Sequence, residues 1–147
     1  MAIQISRKCE YALRAVMYIA GLEESELYTA KNISTSRGIP LKFLEKILQN
    51  LVNSGLLSVT YGPKGGYRLA RSADEITFWD VIKAVEGPPR INRCIGEAPE
   101  CDDDDCSMKD YWKHFQGEIE KMFDKTTIAE AIKPAAQART GLVRQGA

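Results

Sequence analysis

A five-residue turn sequence between two short alternating runs constrains the fold of this chain more than any other feature. Residues 57–61 and 67–69 alternate apolar with polar side chains, which is the pattern of a strand that buries one face. Between them stands Gly62-Pro63-Lys64-Gly65-Gly66, whose residue types are typical of turns. The segment therefore predicts a β-hairpin with a basic residue at its tip.

Helical periodicity predicts three helices before this hairpin. The first covers about residues 9–22, the second begins after the N-cap residue Thr29, and the third lies between Pro40 and Gly55. The polar face of the third helix carries lysine and amide side chains. Its apolar stripe is the clearest in the chain and is formed by Leu41, Leu44, Ile47, Leu48, Leu51 and Val52.

Three further helices are predicted after the hairpin. A fourth begins at the N-cap residue Thr77 and ends at Gly87, a fifth covers about residues 109–124, and a short sixth is capped within 126–128. The fifth helix carries a heptad-like apolar seam, which favours a contact with a second copy of the chain over docking of the helix onto its own domain. The seam consists of Trp112, Phe115, Ile119 and Met122.

The composition excludes several classes of protein. Apolar residues make up 44% of the 147 residues and charged residues 27%, which is ordinary for a globular domain and argues against wholesale disorder. No window approaches the ~18 consecutive apolar residues of a membrane span, and no secretory signal is visible. We therefore expect a cytoplasmic protein without a membrane partner, in which thiols stay reduced.

An enzyme is not expected from this sequence. The chain shows no nucleophile–base pair, and its glycine-rich segment lies in a hairpin instead of preceding a helix, where such a loop would cradle phosphates. No catalytic residue and no small-molecule substrate are therefore assigned.

The net charge of zero conceals an asymmetry between the two halves of the chain. Residues 1–71 hold ten Lys or Arg against five Asp or Glu, whereas residues 72–147 hold ten against fifteen. A basic half suits a polyanionic partner. Three helices followed by a hairpin with a basic tip also have the order of a winged helix-turn-helix, which binds double-stranded DNA.

The third helix and the hairpin supply the candidate DNA contacts. In a winged helix-turn-helix, the second helix of the turn enters the major groove, and the wing reaches the backbone or the minor groove. Lys42 and Lys46 can neutralise phosphates, and Phe43 near the helix start can contact a thymine methyl group. The candidate set is Pro40, Lys42, Phe43, Lys46, Gln49, Tyr61, Lys64 and Arg68.

Three of the four cysteines lie in a segment without helical or strand periodicity, residues 88–108. Cys94, Cys101 and Cys106 have the spacing C-x6-C-x4-C. Thiolates suit iron–sulfur clusters and Zn²⁺, and the C-x2-C hooks typical of zinc sites are absent. The spacing predicts a metal centre with three sulfur ligands and a position left for another residue. The fourth cysteine, Cys9, is interpreted as a partly buried helix residue.

Several of these segments together resemble the Rrf2 family of winged-helix transcription regulators. The resemblance covers about residues 1–132. It implies a mainly α fold with a small β-hairpin wing, in which a long C-terminal helix dimerises the chain. The segments that carry it are residues 10–14, 38–48, 62–67 and 76–87 and the three loop cysteines.

Periodicity and this resemblance together predict four segments. Residues 1–87 form a winged helix-turn-helix DNA-binding domain, and residues 88–108 form a cysteine-bearing cluster-binding loop. Residues 109–133 hold the dimerisation helix and a short C-terminal helix, and residues 134–147 form a flexible tail.

The resemblance also implies an iron–sulfur cluster of two or four irons near the dimer interface, held by the three loop cysteines and one other residue. Members similar to IscR use a histidine three positions after the last cysteine, where this chain has Lys109, a cation that cannot substitute. Members similar to NsrR use an acidic residue early in the first helix of the partner subunit, and the matching position here is Glu10. His114 is the second candidate, and a carboxylate within 102–105 is the third.

The function implied by the resemblance is that of a homodimeric repressor. Its affinity for a double-stranded DNA operator would be tuned by the cluster in response to redox state, oxygen, nitric oxide or iron supply. Two alternatives stay open: a metal-independent regulator whose cysteines act as a thiol switch, and an iron–sulfur carrier that has lost DNA binding. Tyr61 gives the carrier slight support, because IscR-like members place an arginine for the minor groove there, whereas the basic first half argues against it.

Overall fold

The computed structural model describes residues 4–22, 25–97, 99–101 and 103–133. This part of the chain consists of helices and one small β-hairpin. The predicted mainly α fold with a hairpin is thus confirmed, whereas the predicted tail, residues 134–147, lies outside the described residues. The elements are α1 (Arg7–Ala20), α2 (Ala30–Arg37), α3 (Leu41–Asn53), β1 (Leu57–Thr60), β2 (Gly66–Leu69), α4 (Phe78–Glu86), α5 (Met108–Lys125) and α6 (Ile128–Ala131).

Side-chain caps fix where four of these helices begin. The hydroxyls of Thr29, Thr77 and Thr127 each accept a hydrogen bond of 3.1 to 3.2 Å from the backbone N–H three residues further on, within a capping box. Ser6 caps α1, which therefore begins two residues earlier than predicted. Gly38, with φ of +64°, ends α2 in the left-handed conformation that glycine adopts readily.

The hairpin is attached to the helical domain through its second strand. β1 and β2 pair antiparallel, with Thr60 opposite Gly66. Tyr67 of β2 also exchanges two backbone hydrogen bonds, of 2.8 and 3.0 Å, with Tyr28 in the segment before α2. A Cβ at Gly66 would lie 2.9 Å from the Tyr28 backbone, so this close approach requires glycine. Gly66 thus belongs to the strand and not to the predicted turn.

The hydrophobic core lies between α1, α3 and α4. The predicted stripe of α3 is buried along most of its length, whereas Leu41 in the first turn is 39% exposed. Ile128 of α6 is completely buried in the same core, and its N–H donates to Ile76 O at 2.8 Å. The chain therefore returns after α5 to the domain that begins with α1.

α5 is less buried than the other long helices, and no residue of it is fully buried. Two members of its predicted seam are half-buried, whereas Phe115 and Met122 are 47% and 59% exposed. Met108 and Tyr111 are exposed as well, and we call these four residues the α5 apolar face. Within the described ranges, no helix is long and apolar enough to cross a membrane.

Candidate nucleic-acid interface and cysteine loop

The outward side of α3 forms a shallow concave surface of about 610 Å³. Because the apolar stripe of the helix packs into the core, the polar side chains between its members are turned outward. The structure thereby brings the five predicted DNA contacts of this helix onto one surface, with Glu45 among them. We call it the reading surface; it is lined by Pro40, Lys42, Phe43, Glu45, Lys46 and Gln49.

Pro40 determines how the reading surface begins. It occupies the N-cap position of α3, and no side-chain hydrogen bond caps the helix there. The first backbone N–H groups of α3 therefore lack a side-chain cap, and the positive end of the helix dipole lies at the reading surface. A phosphate group suits such a position.

Phe43 is the aromatic member of the reading surface. It is 39% exposed, and its ring centre lies 5.8 Å from that of Tyr11 on α1, at an interplanar angle of 81°. This is the edge-to-face arrangement that aromatic pairs prefer. Tyr11 was not predicted as a functional residue, because the contact forms only when α1 packs against α3 and leaves no local signal in the sequence.

The hairpin presents a second exposed surface, which we call the wing and which consists of Tyr61, Lys64 and Arg68. Tyr61 is 83% exposed, and Lys64 is exposed at the tip. Arg68 Nε donates a hydrogen bond of 3.4 Å to Ser58 Oγ across the two strands, which orients the guanidinium group on the exposed face. All three predicted wing residues are thus accessible to a partner.

Tyr67 is the half-buried residue of β2 next to Arg68 of the wing. Burial raises the pKa of its phenol above the usual value, and the charges of Tyr61 on the wing and Glu45 on the reading surface raise it further. The hydroxyl therefore stays protonated at neutral pH and can donate a hydrogen bond. Tyr67 is a candidate polar contact that the predicted set omitted, although it ends the segment 62–67 on which the family resemblance depends.

The first residues of the cysteine loop, residues 88–107, are attached to α5 by hydrogen bonds. Gln116 Nε2 donates to Pro89 O at 2.6 Å, and Gln116 Oε1 accepts from Ile91 N at 3.0 Å. The same Nε2 donates to Glu120 Oε1 at 2.8 Å, which orients the amide group. A glutamine within a helix gives no sequence signal for such a role, so this attachment was not predicted.

The end of the cysteine loop is held by Lys109. Its backbone N–H donates to Cys106 O at 3.1 Å, and its Nζ lies 3.3 Å from Asp104 Oδ1. Lys109 therefore offsets part of the negative charge of the acidic run beside the cysteines, residues 102–105.

The three loop thiols interact with one another. All three cysteines are half-buried. Burial raises the pKa of Cys94, and a hydrogen bond with Cys101 and the charges of Cys101 and Cys106 raise it further. In the part of the chain that the structure describes, no three His, Cys, Asp or Glu side chains converge closely enough to hold a metal ion. The donor set fits an iron–sulfur cluster in its chemistry, and the loop has to draw its thiols closer to bind one.

The candidate fourth ligands lie apart from one another. Glu10 is exposed in the first turn of α1, and its Oε1 lies 3.6 Å from Arg14 Nε. His114 is exposed on α5, with its ring centre 5.9 Å from that of Phe115. The described part of the acidic run is exposed, and Asp102 lies outside the described residues.

Cys9 differs from the loop thiols because it is fully buried. Its side chain is 2% exposed between α1 and α4, and Sγ donates to Glu86 Oε2 at 3.4 Å. Burial is the main cause of a raised pKa at this thiol. Cys9 is thus a helix residue that is buried more completely than predicted, and it is protected from reaction in the folded chain.

Known proteins resemble this chain over most of its length. A family model described as "Rrf2: Iron-dependent Transcriptional regulator" matches residues 5–134. A protein of Aquifex aeolicus (strain VF5), named as an HTH-type transcriptional regulator, is 31% identical over 125 residues, which cover 83% of this chain and 86% of that one.

Two solved structures match with a TM-score of 0.74 each. T. potens IscR is 26% identical, and the match covers 90% of this chain and 88% of that chain. CymR, the global cysteine regulator of B. subtilis, is 25% identical, and the match covers 89% and 97%.

Proposed function

The chain belongs to the Rrf2 family of transcription regulators, and we propose that it is a homodimeric repressor whose affinity for operator DNA is set by an iron–sulfur cluster. Members of this family are regulators of transcription and not enzymes. The observation that carries the cluster proposal is the presence of three half-buried thiols in one loop, which Gln116 attaches to the helix that bears the α5 apolar face.

Cys94, Cys101 and Cys106 would hold the cluster, with Glu10 of a second copy as the fourth ligand. When bound, such a cluster supplies an iron centre whose charge and integrity change with oxidants, nitric oxide or iron supply. Glu10 is suited to this role because, within the described residues, its carboxylate forms an exposed ion pair with Arg14, and such a pair contributes little energy. If a Glu10 variant keeps its cluster, that result would favour His114 or a carboxylate of the acidic run as the fourth ligand.

A second copy of this chain is the proposed partner of the α5 apolar face. The face exposes Met108, Tyr111, Phe115 and Met122 in one row along a helix. Side chains of this size are expensive to leave in water, and a matching helix of a second copy would cover them. The resulting dimer would present two reading surfaces to DNA half-sites about one helical turn, ~34 Å, apart.

Regulation would act through the attachment of the cysteine loop to α5. Because Gln116 bonds the backbone of the loop, a change in loop conformation displaces groups that lie directly against α5. The spacing of the two reading surfaces then follows the geometry of the α5 contact. DNA affinity changes only by the difference in binding free energy between the two dimer geometries.

The cluster proposal is tested by purifying the full chain without oxygen and measuring its visible spectrum with the iron, sulfide and zinc content per chain. We expect iron with sulfide and visible absorption in the wild-type protein. Cys94→Ala should lose the chromophore while remaining folded. Cys9→Ala is the matched control, because this thiol is buried and donates to Glu86 of α4, and it should keep the chromophore.

Two results would contradict the cluster proposal. A colourless wild-type protein that also fails reconstitution with iron and sulfide would exclude a cluster, and bound zinc would then indicate a structural metal site. A Cys94→Ala protein with an undiminished chromophore would exclude the loop ligands. The iron count of a coloured protein separates two-iron from four-iron clusters.

A thiol switch is the second candidate function, and it is favoured by the electrostatic influence of the Cys101 thiol on Cys94 within one loop. Hydrogen peroxide would oxidise the two thiols to one disulfide, with their two protons and two electrons reducing the peroxide to two molecules of water. Mass spectrometry of the cluster-free protein before and after treatment tests this step. A reversible Cys94–Cys101 bond that changes DNA affinity would support the switch, and unchanged affinity would exclude it.

A further inference from the structure

We propose that Tyr11 is a positioning residue for DNA recognition, which holds the Phe43 ring on the reading surface so that Phe43 packs against the 5-methyl group of a thymine. The inference rests on the DNA-binding function proposed above. It adds a residue of α1 that determines sequence preference through another side chain and without a DNA contact of its own.

Phe43 stands where a base contact is expected. It lies in the first turn of α3, the end of a recognition helix from which side chains reach base edges. It is 39% exposed on a surface that also carries Lys42 and Lys46, whereas its neighbour Leu44 is completely buried. An apolar side chain in the major groove recognises the thymine methyl group, which the other bases lack.

An exposed aromatic side chain needs support to act in this way. The Phe43 ring is partly exposed to solvent. If it rotated freely about its side-chain bonds, fixing it on DNA would cost conformational entropy. The Tyr11 ring contacts it at 5.8 Å and 81°, from a helix that is itself anchored in the core through Ala12 and Ala15. Tyr11 thereby fixes the ring before DNA arrives.

Leu41 shows that exposure alone does not define this arrangement. It is also 39% exposed in the first turn of α3, but it is not among the residues that line the reading surface. Phe43 combines exposure, a place on the reading surface and an edge-to-face contact from α1. This combination distinguishes a supported contact residue from an incompletely buried core residue.

The test uses duplexes selected from a random DNA library by the full-length wild-type protein, in its anaerobically purified and its cluster-free forms. Each thymine of a selected duplex is then replaced singly by deoxyuridine, which removes only the methyl group. Affinity is measured by titration for the wild-type protein and for Tyr11→Phe, Tyr11→Ala, Tyr11→Leu and Phe43→Ala. Tyr18→Ala is the matched control, since Tyr18 makes a similar edge contact on α1, with Tyr28 at 6.0 Å.

We expect one deoxyuridine position per half-site to weaken wild-type binding about fourfold, the effect of losing one buried methyl group. Tyr11→Phe, which keeps the ring edge, and Tyr18→Ala should retain this preference for thymine. Tyr11→Ala, Tyr11→Leu and Phe43→Ala should bind both duplexes equally. A general loss of stability would not produce this pattern, because it lowers the active fraction equally for both duplexes.

Several outcomes would overturn the inference. Failure of the wild-type protein to select any duplex would refute the DNA-binding function and the inference with it. Selected duplexes without a deoxyuridine effect would refute the inference alone. So would a thymine preference that survives in folded Tyr11→Leu, or one that Tyr18→Ala also loses. Tyr11→Leu decides the question if Tyr11→Ala does not fold, because leucine keeps apolar bulk without an aromatic edge.

Discussion

Replacement of Gln116 by alanine should loosen the start of the cysteine loop while leaving the helical core intact. The Gln116 amide is the side-chain partner of two backbone groups of the loop, Pro89 O at 2.6 Å and Ile91 N at 3.0 Å. Alanine removes both hydrogen bonds. Because both contacts are partly shielded from water, the two backbone groups are not fully compensated by solvent.

The size of the effect follows from these two bonds. Each net hydrogen bond of this type contributes about 0.5 to 1.5 kcal/mol, so their loss lowers the free energy of opening the loop start by about 1 to 3 kcal/mol. The equilibrium constant for local opening then rises roughly 5- to 150-fold. The amide of Ile91 should exchange its hydrogen faster by the same factor when exchange is limited by this opening.

Hydrogen–deuterium exchange of the reduced, cluster-free protein measures this factor at Ile91. Glu120→Gln is the matched control, because it changes the side chain that orients Gln116 but leaves both loop bonds possible. Amides within the core of α1 should exchange equally in all three proteins. An Ile91 exchange rate that Gln116→Ala leaves unchanged would refute the role of Gln116 as the attachment of the loop to α5.

Three other predictions concern separate parts of the molecule. Brief treatment of the reduced, cluster-free protein with iodoacetamide should label the three loop thiols before Cys9, because Cys9 is buried and its burial raises the pKa of the thiol, which stays protonated at neutral pH. Mass spectrometry checks the order of labelling, and early labelling of Cys9 would contradict its burial. Ile128→Ala should lower the free energy of unfolding by about 2 to 5 kcal/mol, measured by urea denaturation, whereas the matched change at the 44% exposed Ile5 should cost less than about 1 kcal/mol. Lys64→Ala should weaken DNA binding and reduce the slope of log affinity against log salt concentration by about 0.9, and titrations that give an unchanged slope would exclude a phosphate contact from the wing.

Local signals explain why much of the fold was predictable from the sequence. The threonine caps act within three residues of themselves, and the structure places them as their patterns predict. Gly66 was assigned to the turn because its role depends on Tyr28, which is distant in the sequence and approaches only in the folded chain. The boundary at Gly66 therefore differs because it depends on a tertiary contact, whereas α1 begins early because of the local cap of Ser6.

The candidate sites divide in the same way. The residues of the reading surface follow from one amphipathic helix, so the helix period alone places them together. The contacts of Tyr11 with Phe43 and of Gln116 with the loop join residues that are at least 25 positions apart, and neither contact has a period or motif. The fourth ligand that we propose, Glu10 of a second copy, would come from another chain, so the geometry of a single chain does not contain it.

The course of the chain after the cysteine loop bears on how a signal in that loop could reach DNA. α5 is held near its middle to the loop by Gln116, and it is followed directly by α6, whose Ile128 is buried in the core with α1. Ile128 N–H donates to Ile76 O, and Phe78 N–H donates to Thr126 O, so the end of α5 is joined to the backbone around the start of α4. A conformational change in the loop therefore acts on α5, whose C-terminal end is fixed to the DNA-binding domain. Such a helix can transmit a change in the loop to the orientation of the reading surface, because its far end is not free to absorb the displacement.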